Sequence, residues 1–305
     1  MKEKIIQVEN FSKVYGEFVA VDEISFQVER GEIFGLLGPN GAGKTSILEC
    51  LEGIRKPSGG KLDILGVDPS REARKLNSLI GVQLQSSGLP ANMHVEEAMR
   101  FFCSYHGVPA RYDLLDRLGL KDKRDSQFQE LSTGQQRRLA LALAVAHNPP
   151  VIFLDEPTAG LDVGSRSELH SLMQEMKAGG STIILATHDM AEAEKMTDRV
   201  AILLRGSIVA EGSPQDLTAT GSGFTKVSIR TEQSLLQQNG TVFPAVSQRS
   251  VKDEYTIYFS VDPAPTVSAL LAYLDEKEDK LIDLRVERPS LEERFLEITH
   301  AGGTQ

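Results

Sequence analysis

Gly38-Pro39-Asn40-Gly41-Ala42-Gly43-Lys44-Thr45 reads G-x-x-x-x-G-K-T, a spacing suited to holding phosphate. The glycines let successive backbone N–H groups turn toward an anion with no Cβ in the way. Ser46-Ile47-Leu48-Glu49-Cys50-Leu51 follows with a helix-like pattern, so the positive end of a helix dipole faces the same phosphates. Lys44 supplies a mobile positive charge for β- and γ-phosphates. Thr45 supplies a hydroxyl for Mg²⁺, an ion that keeps several waters and takes few protein ligands. The apolar run Ile33-Phe34-Gly35-Leu36-Leu37 precedes the glycines and completes a strand–loop–helix context. The chemistry of this motif is the binding of a nucleoside triphosphate; a glycine-rich turn with an incidental lysine is the plainer alternative.

Val151-Ile152-Phe153-Leu154 is an apolar run ending on two acids, Asp155 and Glu156, as in a strand buried on both faces. Neighbouring side chains on a strand point to opposite faces, so the two acids are expected to do different work. Asp155 can hold the Mg²⁺ shell. Glu156 can orient or deprotonate an attacking water. Leu131-Ser132-Thr133-Gly134-Gln135-Gln136-Arg137-Arg138 precedes a strongly apolar helix. Ser132 is expected to cap that helix and Gly134 to leave its N-terminus bare. That makes a second anion site apart from the first. Two phosphate-seeking helix ends beside one glycine-rich loop point to the second serving another subunit's nucleotide.

These groups need a scaffold, and the 305 residues allow two domains or one large one. Residues 4–66 read as short strands (5–8, 25–28, 62–65) separated by turns around the phosphate loop. Residues 71–77 read as helix and 80–84 as strand. From Val95 to Ala146 the period becomes helical, through Ala98, Met99, Phe102, Leu114, Leu118, Leu139 and Leu143. After 151–154 come helix 165–177, strand 182–186, helix 189–195 and strand 199–204, an alternation that implies a mainly parallel sheet with helices on its faces. Ser213 and Pro214 open a short helix, and 218–223 reads as a linker. Beyond it, strand 224–230, helix 232–238, strands 242–248 and 255–261, helix 265–277 and strand 281–287 spell a small β-α-β-β-α-β domain. Ser290 with Glu293 opens a last helix as a capping box.

The net charge is −10, which disfavours a nucleic-acid duplex as partner and adhesion to anionic lipid. Cys50 and Cys103 stand far apart and read as reduced core thiols. No H-x-x-x-H pair marks a structural metal. The N-terminal residues show no signal-peptide core, and no apolar stretch approaches the ~18 residues of a bilayer span. Any work at a membrane therefore calls for a partner that supplies the membrane part.

Taken together, Gly38 to Thr45, Gln85, Leu131 to Gln135, Val151 to Glu156, Ala159-Gly160-Leu161-Asp162 and His188 resemble the ATP-binding subunit of ABC transporters, in that family's order and approximate spacing. The resemblance covers residues 1 to about 220. It implies an α/β P-loop NTPase core (1–220) with a helical subdomain at about 86–147. A C-terminal accessory domain of ferredoxin-like type would occupy 221–305. It further implies that Tyr15 stacks on adenine and that Gly38 through Ser46 hold the phosphates. Gln85 would reach Mg²⁺ and the attacking water, with Thr45 and Asp155 as the other metal ligands. Glu156 would be the catalytic carboxylate and His188 the switch residue at the γ-phosphate. Asp162 would speak across a dimer, and Ser132, Gly134 and Gln135 would close on the partner's ATP. Thr133 departs from the glycine usual at the third signature position and brings a β-branched side chain toward that phosphate.

The ending Pro289-Ser290-Leu291-Glu292-Glu293-Arg294-Phe295-Leu296-Glu297 is similar to the tail of drug-exporter ATPases of the daunorubicin-resistance type. That likeness implies export driven by ATP hydrolysis and a homodimer, or a heterodimer with a related ATPase. It also implies ABC-2-type membrane subunits as partners, a peripheral place on the cytoplasmic face of the membrane, and no nucleic acid. An importer ATPase would carry the same catalytic residues and differ in its C-terminal domain. A soluble ATPase of the family acting on ribosomes or DNA usually carries two cassettes, coiled coils or zinc sites.

Overall fold

The computed structural model describes residues 3–84, 88–219, 224–238 and 241–301. The chain divides into two compact units between Ser213 and Pro214. The first runs through β1 (Lys4–Tyr15), β2 (Phe18–Glu29), β3 (Ile33–Leu37), α1 (Lys44–Leu51), β4 (Gly59–Ile64), α2 (Ala73–Asn77) and β5 (Ile80–Gln83). It continues with α3 (Val95–Tyr105), α4 (Tyr112–Arg117), α5 (Thr133–Val145), β6 (Val151–Asp155) and α6 (Val163–Ala178). It closes with β7 (Thr182–Thr187), α7 (Met190–Met196), β8 (Arg199–Leu204) and β9 (Ser207–Gly212).

Strands β3, β6 and β7 are buried along their whole length, because their sequences are apolar on both faces and both faces are covered. They lie in a sheet of order β5-β6-β7-β3-β8-β9. Its pairs are parallel apart from the antiparallel β8–β9 edge. The expected parallel sheet is therefore present; β9 is an addition, a half-exposed strand without a strong apolar pattern. Register brings the strand ends level. Leu37 lies beside Thr187, and Asp155 beside Ala186. The C-terminal ends of β3, β6 and β7 thus meet at one edge, where open α/β sheets bind ligands.

A separate antiparallel sheet has the order β2-β1-β4. Its first two strands are each 12 residues long, well beyond the expected 5–8 and 25–28. Bulges carry the pairing through polar positions, and Phe11, Val21 and Ile24 join the core. The pair ends with Tyr15 opposite Phe18 across Gly16 at φ +59°. Val95, Met99, Cys103, Leu115, Leu139 and Ile152 share the other core of this unit, so the helical region packs on one face of β6.

The second unit contains α8 (Pro214–Ala219), β10 (Thr225–Thr231), α9 (Leu235–Gln238), β11 (Val246–Lys252), β12 (Tyr255–Ser260), α10 (Pro263–Glu276), β13 (Leu281–Glu287) and α11 (Leu291–Ala301). Its antiparallel sheet runs β11-β12-β10-β13. Val227, Ile229, Phe243, Tyr258, Leu270 and Leu274 form its core. Residues 218 and 219 belong to α8 rather than to a linker, and 220–223 lie outside the described residues. Helix α9 starts later than the expected 232. Ser234 has φ +52°, and the N–H groups of Gln233 and Leu235 donate to the Asp279 carboxylate instead of entering a helix. Strand β11 starts at Val246 rather than 242, just past Ala245 at φ +59°. The capping box forms as expected: Ser290 N–H donates to Glu293 Oε2 (3.1 Å), and Glu293 N–H to Ser290 Oγ (3.2 Å). Cys50 and Cys103 are buried free thiols. No helix among the described residues is long and apolar enough to cross a membrane.

Candidate functional site

The loop between β3 and α1 forms a cleft of about 320 Å³, lined by Tyr15, Phe18, Ala20, the stretch from Asn40 to Ser46, Asp155 and Glu156. Gly43 sits at φ +106° as the N-cap of α1, and no side chain caps that helix. A Cβ at Gly43 would lie 2.7 Å from Ala20 O and 2.9 Å from a Val21 methyl, so the position demands glycine on both counts. The α1 N-terminus therefore opens into the cleft with its backbone donors uncapped by side chains. Lys44 is buried and folds back, donating through Nζ to Gly38 O (2.7 Å) and Pro39 O (3.2 Å). Burial draws its pKa below the usual lysine value, against the pull of Glu156 and Asp155.

The two acids part ways, but not through strand alternation: β6 ends at Asp155, and Glu156 lies beyond it. Asp155 accepts from Thr45 Oγ1 at 3.2 Å. Burial raises its pKa, and Thr45 and Lys44 only partly offset that. Thr45 and Asp155 are hard oxygen donors lining one cleft, the donor chemistry Mg²⁺ takes. Glu156 steps off the strand at φ +50°, a left-handed turn uncommon for a residue with a side chain. That turn swings its carboxylate to His188 Nδ1, 2.7 Å from Oε1. His188 follows β7 directly, and more than half of its side chain is exposed. The structure thus gathers Lys44, Thr45, Asp155, Glu156 and His188 from three strand ends.

Other expected residues lie elsewhere or do something local. Gln85 falls outside the described residues. Ser132 Oγ accepts from Gln135 N–H (3.3 Å) and Gln135 Oε1 from Ser132 N–H (2.9 Å), so these two side chains cap α5. A Cβ at Gly134 would meet nothing closer than 3.5 Å; within the described residues of this chain the position does not exclude a Cβ. Ser132, Gly134 and Gln135 do not line the cleft. Asp162 N-caps α6 through Ser165, whose hydroxyl and N–H hold its carboxyl below the usual range. Tyr15 lines the cleft, its hydroxyl 3.3 Å from Ser46 Oγ, with Lys13 and Arg55 over its ring. Phe18, which sequence reasoning did not single out, lines the same cleft and is the more exposed ring, at 63% against 37%. An exposed-edge aromatic opposite Tyr15 in a hairpin was the available signal. Arg137 of α5 was missed as well. Its Nη1 donates to Ala159 O, with Glu156 O at 3.3 Å, so it fastens α5 to the turn after β6.

The family described as "ABC transporter" matches residues 21–159. The chain is 35% identical over 307 residues to the Nod factor export ATP-binding protein I of Paraburkholderia xenovorans, covering 98% of each chain. It is 32% identical over 307 residues to the daunorubicin resistance ATP-binding protein DrrA3 of Streptomyces coeruleorubidus, covering 98% of this chain and 97% of that one. To the probable multidrug ABC transporter ATP-binding protein YbhF of Escherichia coli K12 it is 36% identical over 241 residues. There it covers 77% of this chain but only 42% of the relative's length. Among solved structures, the ATP-binding subunit of an ABC transporter aligns at TM-score 0.66 and 28% identity, over 70% of this chain and 91% of that one. The dimeric bacterial cassette MJ0796 aligns at TM-score 0.63 and 25% identity, over 68% and 98%. With this agreement in sequence along nearly the full chain, and in fold over the first unit, the protein belongs to the ABC transporter ATP-binding family.

Proposed function

We propose that the chain binds ATP with Mg²⁺ in the cleft and hydrolyses it to drive export through separate membrane subunits of ABC-2 type. One observation carries this reading: the ends of β3, β6 and β7 bring Lys44, Thr45, Asp155, Glu156 and His188 to one place. Lys44 leaves the loop carbonyls for the β- and γ-phosphates, and the α1 N-terminus faces the same charge. Tyr15 and Phe18 take the base. Thr45 and Asp155, with Gln85, would hold Mg²⁺, whose positive charge would offset that of the phosphates. Glu156 orients a water and accepts its proton as the water oxygen attacks the γ-phosphorus and the bond to the β–γ bridging oxygen breaks. His188, held on Glu156 Oε1, contacts the γ-phosphate side.

Two copies, or one copy and a related ATPase, complete two sites head to tail. Ser132, Gly134, Gln135 and Asp162 of each copy serve the other's nucleotide. The exposure of Ser132 and Thr133, away from their own chain's cleft, supports this. A second, apolar groove of about 530 Å³ supports the docking of a membrane subunit's coupling helix near residues 86–106. Ile54, Leu84, Phe101 and Tyr105 line it with much of their surface exposed. The protein would then sit on the cytoplasmic face of the membrane. The second unit reads as a ferredoxin-like accessory domain, a reading supported by its strand order and antiparallel pairing. The domain division expected from sequence, 1–220 for the ATPase and 221–305 for this accessory part, differs from the division into compact units in the placement of α8.

Co-purification tests the reading. Tagged Glu156→Gln protein is expected to bring down a multi-pass membrane protein in near one-to-one ratio from membranes solubilised with ATP and Mg²⁺. Recovery of ribosomal proteins or nucleic acid with no membrane partner overturns it.

A further inference from the structure

Glu192 of α7 is 3% exposed and carries a carboxylate into the protein rather than to solvent. Three side chains surround it. Thr158 Oγ1 donates to its Oε2 at 2.9 Å, and Thr187 Oγ1 to the same oxygen at 3.2 Å. His170 Nε2 lies 3.1 Å from its Oε1. All three partners are buried. Each belongs to a different segment of the proposed machinery. Thr158 stands two residues past Glu156, Thr187 directly precedes His188, and His170 lies on α6, the helix that Asp162 caps. The Thr187 hydroxyl also accepts from Asp189 N–H, fixing the turn on both sides of His188.

We infer that Glu192 is a positioning residue: it ties the segments bearing Glu156, His188 and Asp162 into one body, so that the Glu156–His188 pair is held in register for hydrolysis. This rests on the function proposed above. A buried carboxylate is tolerated only when donors compensate it. Here the donors are supplied by the very segments whose mutual placement matters at the cleft. Losing the carboxylate leaves three buried polar groups short of a partner at once. An error of about 1 Å in a catalytic arrangement is enough to cost about 100-fold in rate.

The test combines kinetics with backbone hydrogen exchange in the full chain. Glu192→Leu, which removes the acceptors, is expected to lower ATPase kcat at least tenfold while the ATP dissociation constant stays within twofold. Exchange should rise at residues 158–162 and 187–189 and stay unchanged in the strands. Thr158→Val should reproduce the loss, and Thr158→Ser, which keeps the hydroxyl, should restore most of it. Unchanged kcat, or unchanged exchange in both segments, overturns the inference. So does exchange that rises across the whole first unit, which marks general destabilisation. A wild-type chain that hydrolyses no ATP overturns the functional reading itself, a result distinguishable because Glu192 then has no rate to affect.

Discussion

Asp155 in the first unit and Asp279 in the second are both nearly closed to solvent, at 5% and 2% exposure, yet their acidities move in opposite directions. Burial pushes Asp155 up; one hydroxyl, from Thr45, donates to it, and Glu156 beside it adds repulsion. Burial pushes Asp279 up too, but Gln233 N–H (2.8 Å), Thr231 Oγ1 (2.7 Å) and Leu235 N–H (3.2 Å) outweigh it and hold it below the usual range. Asp279 is a finished structural device that pins the turn between β10 and α9. Asp155 is left short of positive charge in a cleft that also holds Glu156. Both are closed to solvent, but Asp155 lies deeper in the protein and receives fewer donors, so its charge is left less compensated.

The sharpest way to break this comparison is at the unfinished site. Glu156→Gln is expected to lower turnover by about 10³-fold, within the range for loss of a general base, while ATP binding survives. Steady-state hydrolysis near the wild-type rate refutes that role for Glu156. Next in size, Lys44→Ala should weaken ATP binding by about 10- to 100-fold, since a hydrogen bond to a charged group is worth about 1.5–3 kcal/mol. Titration calorimetry checks it, and unchanged affinity removes Lys44 from the phosphate site.

The finished site should respond in stability and not in chemistry. Asp279→Ala leaves a buried hydroxyl and two N–H groups unpaired and should cost about 2–3 kcal/mol, with ATP affinity unaltered. Folding lowers the pKa of Asp279. Its contribution is therefore fully present above the unfolded value of about 3.9 and is lost as pH falls through the depressed folded value. The gap in denaturation midpoint between wild type and variant should begin to narrow as pH falls below about 4.

Glu52 gives the effect most selective for pH. It is buried with Oε2 unpartnered among the described residues, and burial pushes it up to about 8. The folded chain then keeps a proton that the unfolded chain releases, so this group's contribution falls as pH rises from 4.5 through about 8. Glu52→Gln should flatten that decline, raising the melting temperature relative to wild type at pH 8.5 and hardly at pH 4. An equal shift at both pH values would mean that Glu52 does not keep its proton.

The phosphate loop and the acids of β6 are legible in the chain because each is a contiguous segment whose residue types follow from local needs. Gly43 has to be left-handed beside Ala20, and Asp155 ends an apolar strand with Glu156 directly after it. The helix starts at Ser132 and Ser290 are legible for the same reason, since a capping box closes over three residues. Phe18 was hidden because the hairpin runs 12 residues a side through bulged, polar positions that break the alternating pattern. The late start of α9 was hidden because the carboxylate that stops it, Asp279, lies 44 residues further on.

The groups proposed to meet a nucleotide, and the strands and helix ends that carry them, follow from the chain alone, because those demands are settled within a few residues. Only the tertiary structure decided that Glu156 turns to His188 across 32 residues, that Arg137 reaches the turn after β6, and that Glu192 gathers Thr158, Thr187 and His170. Those pairings depend on the order and register of β6, β7 and β3 in one sheet. Spacing along the chain carries no record of that register; it is set by how the buried faces of the strands and their covering helices pack.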